Sequence, residues 1–140
     1  MNFRERAAPY LIAAFLGAAS VLAFAPTAWF ALSWLTLGCL FLLLEKNSQA
    51  AGTPAQTMRR GALIGAAFGG GLFIAGVSWI YVSLSVFGGM PPPLAALATL
   101  LFCALLALYP AAAGALHVRF APRTGWQRSL FFAALWTISE

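Results

Sequence analysis

The fold is decided by residues 94–118, which read LAALATLLFCALLALYPAAAGALHV and contain no Asp, Glu, Lys or Arg. A helix that crosses a bilayer needs roughly 20 apolar residues, so a stretch of this length can span it. The composition agrees, because 62% of the 140 residues are hydrophobic and 8% are charged, whereas soluble domains carry roughly 25% charged residues. A chain this short cannot bury so much apolar surface in a core bounded by water. The sequence therefore predicts an all-α membrane protein, a polytopic bundle of transmembrane helices.

Four further apolar stretches complete the predicted bundle. We predict four complete transmembrane helices and the beginning of a fifth, at residues 7–24, 29–44, 61–86, 94–118 and 129–140. The last stretch would extend only about 18 Å as a helix, against a hydrocarbon core of about 30 Å. We therefore expect the natural protein to continue beyond Glu140. The connections are predicted as tight turns at residues 25–28 and 87–93 and as polar loops at residues 45–60 and 119–128.

The distribution of basic residues predicts the orientation of this bundle. All eight precede the first helix or lie in the two polar loops: Arg4, Arg6, Lys46, Arg59, Arg60, Arg119, Arg123 and Arg128. Cytoplasmic loops carry the excess of Lys and Arg, so we expect a cytoplasmic N-terminus. A cleaved signal peptide is an alternative for the first helix, because Ala23-Phe24-Ala25 mimics a cleavage site. Pro26, directly after that site, argues against cleavage.

Few side chains in the apolar stretches are candidates for chemistry. Cys39 and Cys103 stand alone, and His117 lies about 21 Å along the helix from Cys103, too far to activate its thiol. We predict packing roles for both cysteines and an interfacial position for His117, with a proton relay as the alternative. Glu140 is the only carboxylate within an apolar stretch, and its role stays open. The sequence predicts no catalytic, cofactor-binding or metal-binding residue and no footprint for nucleic acid.

A row of small residues recurs at every fourth position in the third predicted helix. Gly61, Gly65 and Gly69 form the row, and Ala62, Ala66 and Gly70 form a parallel one. Small residues at this spacing allow helices to approach closely in lipid, which is the interpretation we favour. A groove left open for an acyl chain is the alternative.

The most specific segment reads WIYVS at residues 79–83 and FGGMP at residues 87–91. An aromatic anchor followed by a Gly/Pro turn accounts for its residue classes. The segment resembles one found in the bacterial apolipoprotein N-acyltransferases, and three other segments resemble that family in the same order: residues 22–26 (LAFAP), 106–110 (LALYP) and 134–140 (ALWTISE). We predict that part of this segment lies at the periplasmic face as a contact for substrate or for another domain, namely Trp79, Tyr81, Gly88, Gly89 and Met90.

The resemblance implies a bacterial inner-membrane enzyme with two lipid-bearing partners. Members of the family move an acyl chain from a phospholipid to the N-terminal amino group of a diacylglyceryl-cysteine lipoprotein, without a cofactor. Their reactive cysteine, glutamate base and lysine lie in a periplasmic nitrilase-like domain that residues 1–140 do not include. The chain taken alone is therefore predicted to be inactive. The residues themselves leave open an alternative, a small non-enzymatic membrane scaffold or transporter subunit.

Overall fold

The computed structural model describes residues 3–24, 29–49, 52–122 and 125–139, and every regular element in these ranges is a helix. The helices are α1 (Phe3–Ser20), α2 (Phe30–Ser48), α3 (Pro54–Gly76), α4 (Trp79–Val82), α5 (Pro92–Phe120) and α6 (Gly125–Ser139). A 3-10 turn at Val21–Ala23 extends α1, and a π-helical turn at Ser83–Phe87 continues α4. The prediction of an all-helical chain is confirmed over these ranges.

The connections between helices are shorter than the sequence predicts. The polar loop predicted over residues 45–60 is wrong for most of its length, because α2 continues to Ser48 and α3 begins at Pro54. Thr53 and Gln56 cap α3 reciprocally: Gln56 N donates to Thr53 Oγ1 at 3.3 Å, and Thr53 N donates to Gln56 Oε1 at 3.2 Å. The loop predicted over residues 119–128 also shrinks, since α5 ends at Phe120 and α6 begins at Gly125. The turn predicted at residues 25–28 lies outside the described residues.

The helix predicted over residues 61–86 is broken. α3 ends at Gly76, and the helical segment Trp79–Phe87 is bent from it by 46°. No proline lies at the break, but a Gly followed closely by Ser is a common cause of a kink, and here Gly76 and Ser78 flank Val77. Tyr81 N then donates to Ser78 O at 3.1 Å, which is a tightened turn. The bend redirects the whole stretch that leads to α5.

α3 is the central helix, packed against α5 on one side and α1 on the other. The prediction that Gly61, Gly65 and Gly69 form a close-packing row is confirmed, because a methyl group at Gly65 would overlap the backbone carbonyl of Pro110, and one at Gly61 would lie 2.6 Å from Gly114 O. The parallel row does not share this role at Gly70, where an added methyl group would meet nothing within 4 Å. The α3–α5 interface is therefore a backbone-to-backbone contact of the kind that small residues permit.

The order of contacts along the helices gives their directions. The start of α3 packs against the end of α5 through Gly61 and Gly114, and the end of α2 meets the start of α6 through Glu45 and Arg128. α1, α3 and α6 run in one direction, and α2 and α5 run in the other. We call the end that holds Val21–Phe24 and Trp79–Pro91 the uncharged end. The opposite end, the basic end, carries the described basic side chains of the chain: Lys46, Arg59, Arg60, Arg119 and Arg128.

The packed core is small and the apolar outer surface is large. Leu40, Leu44, Ile64 and Phe68 are buried together with Ala13 and Phe132, while the outer face of α5 exposes a row of leucines: Leu94, Leu97, Leu101, Leu105 and Leu108. Monomeric soluble proteins rarely expose contiguous apolar surface of this kind. Two of the helices, α2 and α5, are long and apolar enough to cross a membrane, and the bent α3–α4 pair is a third if it forms one span. The apolar part of α1, Ala7–Ala23, is shorter, and the count of four complete helices and a fifth stays a prediction.

Candidate functional site

An open apolar cleft of about 670 Å³ lies at the uncharged end, within the range of roughly 300–1,000 Å³ that is usual for ligand pockets. Its walls come from the 3-10 turn after α1, the end of α3, the middle of α5 and the end of α6. The lining residues are Val21, Phe24, Leu72, Phe73, Gly76, Val77, Leu106, Tyr109, Pro110, Trp136 and Ile138. Almost all of them are hydrocarbon, with the Tyr109 hydroxyl and the Trp136 indole as polar tips.

Local sequence explains why the helices leave a cleft here. Gly76 closes α3 without a side chain, and a methyl group added to it would already lie 3.4 Å from Val21 Cγ2. Pro110 lies inside α5 and has no N–H to donate to the carbonyl of Leu106, so α5 loses one backbone hydrogen bond at the cleft wall. On α6, Trp136 packs edge-on against Phe68 with ring centroids 5.4 Å apart. The walls of the cleft are thus formed at the end of α3, at the proline within α5 and at the indole of Trp136.

The predicted contact residues lie beside this cleft and do not line it. Trp79 begins α4 with its side chain 63% exposed, and Tyr81 is also exposed. Gly89 adopts φ +62°, a left-handed conformation that favours glycine. Gly88 N donates to Ser83 O at 2.9 Å and Met90 N donates to Leu84 O at 3.0 Å, so the π-helical turn is closed by its own backbone. The role of these five residues as a contact surface stays a prediction.

A polar cluster at the basic end was missed by the sequence analysis. Glu45 Oε1 lies 2.6 Å from Arg128 Nε and 3.2 Å from His117 Nε2, which joins α2, α5 and α6. His117 is fully buried, so the prediction of an interfacial side chain is wrong as to its exposure, whereas its depth in a membrane stays a prediction. Glu45 is 72 positions from His117 and 83 positions from Arg128 along the chain, and no local pattern encodes such a pairing. The only signal is that each of the three residues borders an apolar stretch.

The two cysteines form no catalytic arrangement in the described part of the chain. Cys103 is buried and Cys39 is half-buried, and both are free. Within residues 3–24, 29–49, 52–122 and 125–139, no group of three His, Cys, Asp or Glu side chains could hold a metal ion. Glu140 lies outside the described residues. Among the described residues, the geometry therefore offers an apolar cleft whose lining includes no Cys, His, Asp or Glu.

Comparison with known proteins identifies relatives along nearly the whole chain. Residues 16–140 match the family model of the apolipoprotein N-acyltransferase N-terminal domain. The apolipoprotein N-acyltransferase of Nitrosomonas europaea is 45% identical over 131 residues, which cover 93% of this chain and 25% of that protein. The apolipoprotein N-acyltransferase of Ralstonia nicotianae is 42% identical over 132 residues, 92% of this chain and 24% of that protein. The chain spans about a quarter of the length of the curated relatives it matches.

Proposed function

This chain belongs to the apolipoprotein N-acyltransferase family, and from that premise we propose that it forms the membrane portion of an enzyme that acylates lipoproteins. The acyl donor is a membrane phospholipid and the acceptor is the N-terminal amino group of a diacylglyceryl-cysteine. The reaction breaks an ester bond in the donor and forms an amide at the acceptor, while the amine proton passes to the released lysophospholipid alkoxide. The matches along residues 16–140 favour this function over a non-enzymatic scaffold or a transporter subunit.

The apolar cleft at the uncharged end is the observation that carries this proposal. The methylene groups of an acyl chain have no polar atoms to satisfy, so they suit an open cleft lined mostly by hydrocarbon, and the cleft has this character. In the proposed arrangement the acyl chain lies among Leu72, Phe73 and Leu106, and the ester carbonyl lies near the membrane surface. The covalent chemistry is assigned to a periplasmic nitrilase-like domain that carries the cysteine, glutamate and lysine of the family.

A cavity-filling substitution tests this assignment in the full-length enzyme that contains these residues. Leu106→Trp places an indole in the cleft, whereas Leu105→Trp places the same group on the neighbouring, lipid-facing side of α5. We expect Leu106→Trp to lower acyl transfer from phospholipid by at least about tenfold and Leu105→Trp to leave it within about twofold. Equal losses for the two variants at equal protein levels would overturn the cleft as the acyl site.

We also propose that the chain crosses the bacterial inner membrane four times and begins a fifth crossing, with its N-terminus in the cytoplasm. The support is that α1, α3 and α6 run opposite to α2 and α5, and that the basic side chains gather at one end. Reporter fusions after Thr53 are expected to report cytoplasm, and a fusion after Met90 is expected to report periplasm. A periplasmic signal at Thr53 would reverse this orientation.

The exposed aromatic residues beside the cleft are proposed as a contact surface for substrate or for the catalytic domain. Trp79 and Tyr81 present large side chains at the uncharged end, and Gly89 fixes the turn that follows them. Trp79→Ala and Gly89→Val are to be compared for protein level and for acyl transfer in the full-length enzyme. Loss of transfer at normal protein level supports the contact surface, and a parallel loss of both restricts these residues to a structural role.

A further inference from the structure

α6 is the helix whose position depends most on a few side chains. It packs closely against α5, whereas it reaches α2 mainly through side chains. Phe132 packs on Phe41 of α2 with ring centroids 5.5 Å apart. A groove of about 370 Å³ lies between the two helices, and its lining runs from Phe41 and Ser129 to Trp34 and Trp136. α6 is therefore joined to α2 through a few side chains, with open space beside them.

The charged contact at the basic end is partly buried and shared by three helices. Side-chain exposure is 18% for Glu45 and 21% for Arg128, and their charged atoms are 2.6 Å apart. Arg128 is held further by Ser48 Oγ at 3.3 Å and by the carbonyl oxygen of Pro122 at 3.4 Å. A charge withdrawn from water in this way is costly unless it keeps its partner. The pair therefore penalises any displacement of α6 from α2.

His117 joins a third helix, α5, to the contact between Glu45 and Arg128. The imidazole of this α5 residue is enclosed by the rings of Phe41, Phe131 and Phe132 at centroid distances of 5.4–6.2 Å, and its Nε2 meets Glu45 Oε1 at 3.2 Å. Its Nδ1 is buried and has no hydrogen-bond partner among the described residues. Since nothing else in the cluster satisfies this ring, the contact with Glu45 fixes how the imidazole sits between α2 and α6.

The same α6 supplies a wall of the apolar cleft. Trp136 lies eight residues beyond Arg128, about 12 Å further along the helix, and lines both the cleft and the α2–α6 groove. Ile138 adds a second contact on the cleft side. Trp136 also packs against Phe68 of α3 with ring centroids 5.4 Å apart, so α6 is held near both of its ends. Loss of the contact at Arg128 would let α6 pivot about this indole, and the width of the cleft would change with it.

We propose that Glu45, His117 and Arg128 form a latch that sets the position of α6 relative to α2 and α5 and thereby the width of the cleft. The three are positioning residues, since they lie at the basic end and act through α6. The link to acyl-chain binding rests on the proposed function, whereas the mechanical part of the latch does not depend on it.

Distances between spin labels test the mechanical part in the full-length protein. The labels are unnatural amino acids at Leu35 on α2 and Ala134 on α6, both exposed, so that no cysteine has to be replaced. Arg128→Gln and Glu45→Gln are expected to shift or broaden the distance distribution by about 2 Å or more, the scale of helix displacements in switching proteins. Arg128→Lys is expected to recover most of the parent distribution. The matched control is Arg119→Gln, which removes an equal charge from an exposed arginine stacked over Phe120.

Kinetics of acyl transfer test the link to the cleft. We expect Arg128→Gln to raise KM for a long-chain phospholipid about fivefold while kcat stays within about twofold, with Arg128→Lys intermediate. A parent-like distance distribution in Arg128→Gln overturns the latch. A shifted distribution with unchanged KM overturns its control of the cleft, and this outcome differs from failure of the proposed function, in which Leu106→Trp leaves transfer intact. If Arg128→Gln does not accumulate, Glu45→Gln/Arg128→Gln removes both charges together, and a parent-like distribution there also overturns the latch.

Discussion

The α3–α5 contact and the attachment of α6 hold one helix against another in different ways. Gly61, Gly65 and Gly114 bring two backbones into direct contact with no polar side chain involved. In contrast, α6 is joined to α2 through the side chains of Arg128 and Glu45, and a groove lies between the two helices. Close backbone packing produces a rigid pair without room for a ligand. An attachment through side chains leaves a groove between α2 and α6, and Trp136 of α6 lines both this groove and the cleft.

The largest effect is expected where the two backbones touch. Gly65→Leu would force a side chain into the carbonyl of Pro110, so we expect it to destabilise the chain by about 3 kcal/mol or more or to prevent its accumulation. Gly70→Leu makes the same chemical change on the same helix in open space and is expected to stay within about 0.5 kcal/mol. Thermal unfolding in detergent measures both variants. Similar losses in the two would mean that α3 and α5 are not in backbone contact.

A smaller effect is expected at the charged attachment. Glu45→Gln leaves Arg128 with a neutral partner at a mostly buried site, and we expect a loss of about 2 kcal/mol in unfolding free energy. The neighbouring substitution Lys46→Gln changes an exposed side chain and is expected to cost under about 0.5 kcal/mol. The two variants are compared by unfolding in the same detergent. If they cannot be distinguished, the cluster contributes no more than an ordinary surface charge.

The smallest effect is expected at the polar contact between α1 and α2. Ser20 Oγ donates to Thr36 Oγ1 at 2.8 Å, and both side chains are buried. Interhelical hydrogen bonds in membrane proteins contribute on average about 0.6 kcal/mol, so Ser20→Ala should cost about that much. Ser78→Ala removes an exposed hydroxyl that donates to the carbonyl oxygen of Ala75 in its own turn, and it serves as the control. A Ser20→Ala variant as stable as the parent would assign the α1–α2 packing to apolar contacts alone.

The parts that the sequence predicts well are those governed by local pattern. The apolar stretches predict the helices because the hydropathy of consecutive residues can be read directly from the sequence. The four-residue spacing of Gly61, Gly65 and Gly69 likewise predicts a close-packing face. The bend at Val77 escapes such reasoning, since the apolar stretch continues through it and no proline marks it. The predicted loop over residues 45–60 fails at both ends. α2 continues through Glu45 and Ser48, whose side chains contact Arg128 of α6, and the reciprocal cap of Thr53 and Gln56 begins α3 at Pro54.

The candidate site divides in the same way. The segment WIYVS and FGGMP at residues 79–91 predicts the family because a specific string carries that information. The cleft itself is assembled from four elements far apart in the chain. Only the fold shows that Val21, Leu72, Leu106 and Trp136 line the same cavity. The latch likewise requires knowledge of which helix ends meet.

The central claim is that an acyl chain occupies the cleft at the uncharged end, and photolabelling tests it most directly. Full-length protein in phospholipid vesicles is exposed to a phospholipid with a photoreactive group in its acyl chain, and the labelled residues are mapped by mass spectrometry. The account predicts labels concentrated on cleft residues such as Leu72, Phe73 and Leu106 and reduced in Leu106→Trp. Labels spread evenly over the lipid-facing leucines Leu101, Leu105 and Leu108, with no preference for the cleft, would contradict it.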